Sequence, residues 1–126
     1  MRPDTLACVA ELSIGGDSFD RCIANFLDGF YASPSGAALM LVPPTLAPSQ
    51  GDLGRIRDAY LAATAEELSA KHGLRVPEWT GTPDRALHTP WFASSLDALR
   101  AVLLVESPAA FRARNLFVSE NALSRA

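Results

Sequence analysis

The most regular hydrophobic pattern in the chain lies between residues 19 and 31. Large apolar side chains recur there three and four positions apart, which is the spacing of one face of an α-helix. The pattern predicts an amphipathic helix that begins after the Gly15-Gly16 break and ends at Ser33-Pro34. Its apolar positions are Phe19, Cys22, Ile23, Phe26, Leu27, Phe30 and Tyr31.

The longest helix is predicted from about Asp52 to His72, because apolar residues recur along this stretch at helical spacing. Gly73 follows directly and can adopt the left-handed conformation that ends many helices. The side chains predicted to face the core are Leu53, Ile56, Tyr60, Ala63, Thr64 and Leu68.

A third amphipathic segment follows Ser94. Asp97 stands three residues after Ser94, an arrangement that resembles a capping box, and Ser107-Pro108 stops the pattern. The segment therefore predicts a helix of about a dozen residues. We expect its internal side chains to be Leu96, Leu99, Val102 and Leu103, with Ala98 and Val105 as further candidates.

Prolines break the rest of the chain into short pieces, and no strand pattern is visible. Residues 43–50 read as a connector and residues 74–93 as an irregular segment rich in proline and aromatic side chains. Residues 1–126 are therefore predicted to form a single all-α domain, an irregular compact bundle of six or seven helices, several of them short and proline-bounded. The shorter helices are expected at 5–12, 34–41 and 109–112.

Composition agrees with one compact domain, since the 126 residues are 48% hydrophobic. The net charge of −3 excludes a global attraction to phosphate or acidic lipid, and the excess lies in residues 1–48, with two basic and five acidic residues. No apolar stretch approaches the roughly 20 residues of a membrane span, and the N-terminus lacks a signal-peptide pattern. We therefore expect a cytoplasmic protein, with its two cysteines as thiols.

The sequence predicts neither a metal site nor a cofactor site. Cys8, Cys22, His72 and His88 have the ligand types of a zinc site, but they lack the close paired spacing that structural zinc sites use. No glycine-rich phosphate loop and no nucleophile elbow occurs. His88 leaves one enzymatic alternative open, a small hydrolase-like enzyme in which it acts with Arg112 and Glu106.

Aromatic residues are grouped in the C-terminal half of the chain. Buried aromatic side chains can supply a core where the local helices are too short to do so. Exposed tryptophans can instead anchor a protein interface, where tryptophan and arginine are enriched. The core interpretation applies to the whole group, and the interface interpretation to one or both of its tryptophans; the group is Trp79, Trp91, Phe92, Phe111 and Phe117.

The segment from Tyr60 to the end resembles a module of bacterial regulator-like and antitoxin-like proteins. The resemblance rests on KHGL at 71–74, VPEWT at 76–80, PWF at 90–92, ESPAAFRARNLFV at 106–118 and NALSRA at 121–126. In related proteins this module often follows a helix-turn-helix domain, and the genes often lie beside nucleotidyltransferase toxins of the abortive-infection class. Its motif residues here are Glu106, Ser107, Pro108, Phe111, Asn115 and Phe117.

The resemblance implies a non-enzymatic, antitoxin-like protein that neutralises a nucleotidyltransferase-type toxin encoded nearby. The stretch before Phe19 is too short for a helix-turn-helix domain and is acidic, so docking on the toxin is favoured over binding DNA. A dimeric DNA-binding transcriptional regulator remains the alternative, and a homodimer fits either function. The residues expected to contact a partner are Trp79, His88, Trp91, Phe92, Arg112, Arg114 and Arg125.

Overall fold

A computed structural model describes residues 2–94 and 96–125. The protein is all-α, as predicted, with six α-helices and one very short sheet in the described residues. Two short 3₁₀ turns, Glu78–Gly81 and Pro83–Arg85, interrupt the irregular segment. The elements are α1 Leu6–Ile14, α2 Phe19–Ala32, α3 Ala37–Met40, α4 Ala47–His72, β1 Trp91–Phe92, α5 Asp97–Glu106, α6 Ala109–Arg112 and β2 Leu116–Phe117.

Helices α1 and α2 form the N-terminal part of the core. Each begins at a hydroxyl side chain that accepts a backbone amide, Thr5 from Cys8 at 3.0 Å and Ser18 from Arg21 at 3.3 Å. The predicted apolar face of α2 is buried, apart from Tyr31, which is half-buried. The amphipathic pattern thus fixes which side of α2 faces inward.

Helix α4 begins one turn earlier than predicted. Its first turn, Ala47–Gln50, lies in the expected connector, and Gly51 then interrupts the helical backbone with φ 63°. Beyond Gly51 the helix runs to His72 and ends at Gly73 with φ 64°, as predicted. The prediction that Leu53 faces the core is wrong, because this side chain is 50% exposed.

A two-stranded parallel sheet was not expected from the sequence. Trp91 is paired with Leu116 and Phe92 with Phe117. Each strand has only two residues, too few to show the alternation from which a strand is recognised. The sheet joins the irregular segment to the C-terminal residues, with Asn115 in the left-handed turn (φ 62°) just before β2.

Helix α5 has the predicted position but not the predicted burial. Leu96 is 63% exposed, Leu99 46% and Val102 49%, and the further candidates Ala98 and Val105 are exposed too, so Leu103 alone of the expected internal side chains is buried. The expected capping box is not formed, since the Ser94 hydroxyl accepts the amide of Leu96 rather than that of Asp97 among the described residues.

None of the helices in the described ranges is both long and apolar enough to cross a bilayer.

Candidate partner-binding surfaces

Helix α5 displays apolar side chains to solvent. Ala98, Ala101, Val102 and Val105 follow the spacing i, i+3, i+4, i+7 and therefore share one side of the helix, here called the α5 face. All four are exposed, and Val105 retains 79% of its accessible surface. Exposed apolar area of this kind on a single short helix is typical of an interaction site.

The opposite side of α5 attaches the helix to the C-terminal segment. Leu103 is buried there, and the Ser107 hydroxyl lies 2.6 Å from the Leu103 carbonyl oxygen and 2.9 Å from that of Val118. The same hydroxyl accepts the Val118 amide at 2.8 Å. Arg100 lies over the ring of Phe92, 5.3 Å from its centroid. These contacts leave the α5 face directed away from the body of the protein.

A second apolar surface lies between α2 and α4. It is a cleft of about 410 Å³, here called the α2–α4 groove. Its apolar floor and walls come mainly from buried residues of α2 together with the half-exposed Leu53 and the partly buried Trp91. Arg57, Asp20 and Arg125 add charge. The larger apolar residues that line it, besides Tyr60, are Phe19, Ile23, Leu27, Leu53, Ile56 and Trp91.

Tyr60 lies in the α2–α4 groove and joins an aromatic cluster. Its ring centroid is 6.1 Å from that of Phe19 and 5.0 Å from that of Phe111, and both pairs are edge to face. Burial raises the pKa of Tyr60 to about 12, with smaller contributions from Asp20 and Tyr31. The phenol therefore stays neutral to a higher pH than that of an ordinary tyrosine.

His88 lies in a larger adjoining cleft of about 660 Å³. This cleft shares Ile56 and Trp91 with the α2–α4 groove, and its lining includes the exposed carboxylate of Asp52. Neither Arg112 nor Glu106 lines it. The described residues thus do not bring the three groups of the enzymatic alternative together in one cleft.

A buried ion pair between Asp58 and Arg85 borders the larger cleft. The Asp58 carboxylate accepts the amides of Leu46 at 2.7 Å and Ala47 at 3.2 Å, and Arg85 Nη1 lies 3.8 Å from Asp58 Oδ1. Both side chains are 2% exposed. Burial raises the pKa of Asp58, against the lowering effect of these amides and of Arg85. The pair fastens the connector and the second 3₁₀ turn to α4.

Two of the residues expected to contact a partner are internal. Trp79 is 6% exposed, donates through Nε1 to the Leu39 carbonyl at 2.9 Å, and lies under the Arg85 guanidinium. Arg114 is 7% exposed and lies 2.7 Å from Glu66 Oε1. Burial and internal bonding assign both side chains structural roles, in place of the surface roles expected of them.

The other five residues expected to contact a partner lie at or near the surface, but they do not form one patch. His88 and Trp91 line the larger cleft, and Trp91 and Arg125 line the α2–α4 groove. Arg125 also forms an ion pair with Asp28 at 2.9 Å, which lowers the pKa of that carboxyl. Phe92 stacks on Phe117 with 4.9 Å between ring centroids, and Arg112 is exposed on α6, away from both clefts.

The predicted motif residues have mainly structural contacts. Ser107 links α5 to Val118, and Pro108 precedes α6. The Asn115 amide donates to the Leu87 carbonyl at 2.7 Å, which joins the left-handed turn to the irregular segment. Phe111 is fully buried against Tyr60, and Glu106 accepts the amide of Glu120.

Within residues 2–94 and 96–125, no three histidine, cysteine or acidic side chains cluster closely enough to hold a metal ion. Cys8 and Cys22 are free thiols, and burial raises the pKa of each.

Comparison of the chain with protein-family models, with curated proteins and with solved structures found no match.

The α5 face was missed at the level of sequence, although a signal for it was present. Apolar residues occur on both sides of α5, with Leu103 on one side and Val105 on the other. A helix that is apolar all round needs covering on more than one side, yet the chain places little against it. The sequence also contained a signal for the buried carboxylate of Asp58. This acidic residue shares a helix face with Gly54, Leu61 and Ala62, which are small or apolar.

Proposed function

We propose that the protein is a non-enzymatic, antitoxin-like partner that neutralises a nucleotidyltransferase-type toxin by docking on it through the α5 face. The observation that carries the proposal is the exposure of Val102 and Val105 on one side of α5. Apolar residues at i, i+3, i+4 and i+7 are the anchors that a helix uses when it binds in a groove of a partner.

Charge supports a toxin as the occupant. The chain carries −3 overall, and five acidic residues against two basic ones fall in residues 1–48. A toxin that handles nucleotides or RNA presents a basic surface, which an acidic protein complements. The resemblance of the C-terminal half to antitoxin-like proteins points to the same class of partner.

Co-expression with the neighbouring toxin gene tests the proposal. We expect co-purification of the two proteins and relief of growth arrest, and we expect Val105→Glu to weaken the complex about tenfold or more. Val42→Glu is the matched control, since Val42 is also a valine, is 63% exposed and lies away from α5.

Absence of a complex together with persistent toxicity would overturn the proposal. Equal loss of binding in both valine variants would also overturn it, because the effect would then come from added charge rather than from the α5 face.

A further inference from the structure

We propose that, in the free protein, the α5 face of one copy docks in the α2–α4 groove of a second copy. This inference goes beyond the proposed function and does not depend on it. Docking of this kind would cover the exposed apolar side chains of α5 whenever no other partner is bound.

The chain carries both halves of such a contact. The α5 face offers apolar anchors along a helix of ten residues, about 15 Å long. The α2–α4 groove offers an open apolar surface, with Leu53 half-exposed at its edge and Ile23 and Leu27 in its floor. An amphipathic helix laid in an apolar groove is a common mode of protein recognition.

A chain's own α5 is held away from its groove. Successive side chains in a strand point to opposite faces, so Trp91 and Phe92 are directed to opposite sides of β1. Trp91 lines the groove, whereas Phe92 lies under Arg100 of α5. Ser107 further ties the end of α5 to Val118. An α5 helix that enters the groove must therefore come from another copy.

The charges of the two surfaces are complementary. Helix α5 carries two carboxylates, Asp97 and Glu106, and one arginine. In the groove Arg125 is already ion-paired with Asp28, which leaves Arg57 as the cation that can meet a carboxylate of α5. Arg57 contacts the Gln50 amide oxygen at 2.8 Å and the Phe19 ring, and no carboxylate lies within ion-pair distance of it in the described part of the chain. The guanidinium of Arg57 is thus available to a carboxylate of an incoming α5.

Reciprocal docking closes the assembly at two copies. Each copy supplies one helix and accepts one, so a two-fold axis relates two equal contacts. The same pairing buries the α5 face and the groove of both copies at once, which satisfies the apolar surfaces without leaving a free helix at either end.

Sedimentation velocity of the full chain tests the contact. We expect the wild-type protein to have twice the mass of one chain. Val105→Glu, in the α5 face, and Leu53→Glu, in the groove, should each halve that mass. Both positions are exposed, so the single chain should still fold, and circular dichroism checks this. Val42→Glu serves again as the control and should sediment like the wild type.

An equimolar mixture of the two variants provides the decisive measurement. Val105→Glu keeps an intact groove and Leu53→Glu keeps an intact α5 face, so the mixture should recover a species of two chains through one contact. A wild-type protein that sediments as a single chain would overturn the proposal. So would a Leu53→Glu protein that associates like the wild type, because α5 would then pair with itself.

The self-association test gives a result that is independent of toxin binding. Leu53→Glu leaves the α5 face unchanged, so it should still bind the toxin even though it no longer self-associates. Loss of self-association with toxin binding retained, or the reverse, therefore separates the two proposals.

Discussion

The Asp58 carboxylate accepts the backbone amide of Leu46 at 2.7 Å, across twelve residues of the chain. Leu46 is fully buried and precedes the first turn of α4, whereas Asp58 lies in the second turn after the break at Gly51. One side chain thus holds the helical turn before Gly51 against the long helix that follows it. The nearby guanidinium of Arg85 adds the irregular segment to the same junction.

Replacement of Asp58 by alanine should destabilise the fold strongly. The change removes the acceptor for two backbone amides and leaves Arg85 buried without its carboxylate, for which we expect a loss of about 3–5 kcal/mol in the free energy of unfolding. Urea denaturation followed by circular dichroism measures it. Asp84→Ala is the control and should cost about 1 kcal/mol or less, since Asp84 is exposed. Similar losses in both variants would show that Asp58 has no special role.

Gly54 allows the same junction to close, because the backbone of the connector passes directly over it. A Cβ atom at Gly54 would overlap the Leu46 carbonyl and lie 2.7 Å from the Ala47 amide nitrogen. These are backbone atoms that cannot rotate away, so Gly54→Ala should lower the free energy of unfolding by about 1–3 kcal/mol.

Gly29→Ala is the matched control for Gly54→Ala, since Gly29 also lies within a helix. Its added Cβ would meet only the Arg2 side chain, at 3.9 Å. We expect it to stabilise the protein by up to about 1 kcal/mol, through the higher helix propensity of alanine. If both variants were stabilised, the close approach at Gly54 would be refuted.

Local patterns predicted the helices well because their signals lie within a few residues. The apolar face of α2 and the stop at Gly73 both follow from neighbouring residues. The junction at Asp58 depends on residues that are distant in the sequence, and the connector shows no signal for it. The two-residue strands are likewise formed by pairing between distant segments.

The sites were less predictable than the helices for the same reason. Whether Trp79 is buried or exposed depends on Leu39 and Arg85, which lie 40 residues before it and 6 after it. Burial of Arg114 depends on Glu66 in α4. Residue type alone indicates that tryptophan and arginine side chains can bind a partner. Only the tertiary contacts show that Trp79 and Arg114 make their hydrogen bonds and ion pairs within the chain.

Alkaline pH should weaken the fold through Tyr60. Burial raises the pKa of its phenol from 10.0 to about 12, so between these values the folded state keeps a proton that the unfolded state releases. The stabilisation is complete below pH 10 and is lost as pH rises through about 12, with a slope of at most about 1.4 kcal/mol per pH unit. Urea unfolding midpoints from pH 9 to 12 measure the effect.

Tyr60→Phe isolates this contribution from other groups that titrate in the same range. The variant keeps the aromatic contacts with Phe19 and Phe111 and removes only the hydroxyl. Its stability should therefore fall less steeply with pH than that of the wild type. Parallel curves for the two proteins would assign the alkaline loss to other groups.

Leu103 and Val102 are adjacent in sequence but lie on different sides of α5, so replacing each by alanine should affect the free energy of unfolding differently. Leu103 is 8% exposed and packs toward the C-terminal segment, so Leu103→Ala should lower the free energy of unfolding by about 2–5 kcal/mol. Val102 is 49% exposed, and Val102→Ala should change it by about 0.5 kcal/mol or less in the single chain. Denaturation has to be measured for both variants in the Leu53→Glu background, which keeps the chains apart if they self-associate. A large loss for Val102→Ala in that background would mean that the α5 face is covered within one chain, and it would remove the basis for docking through this helix.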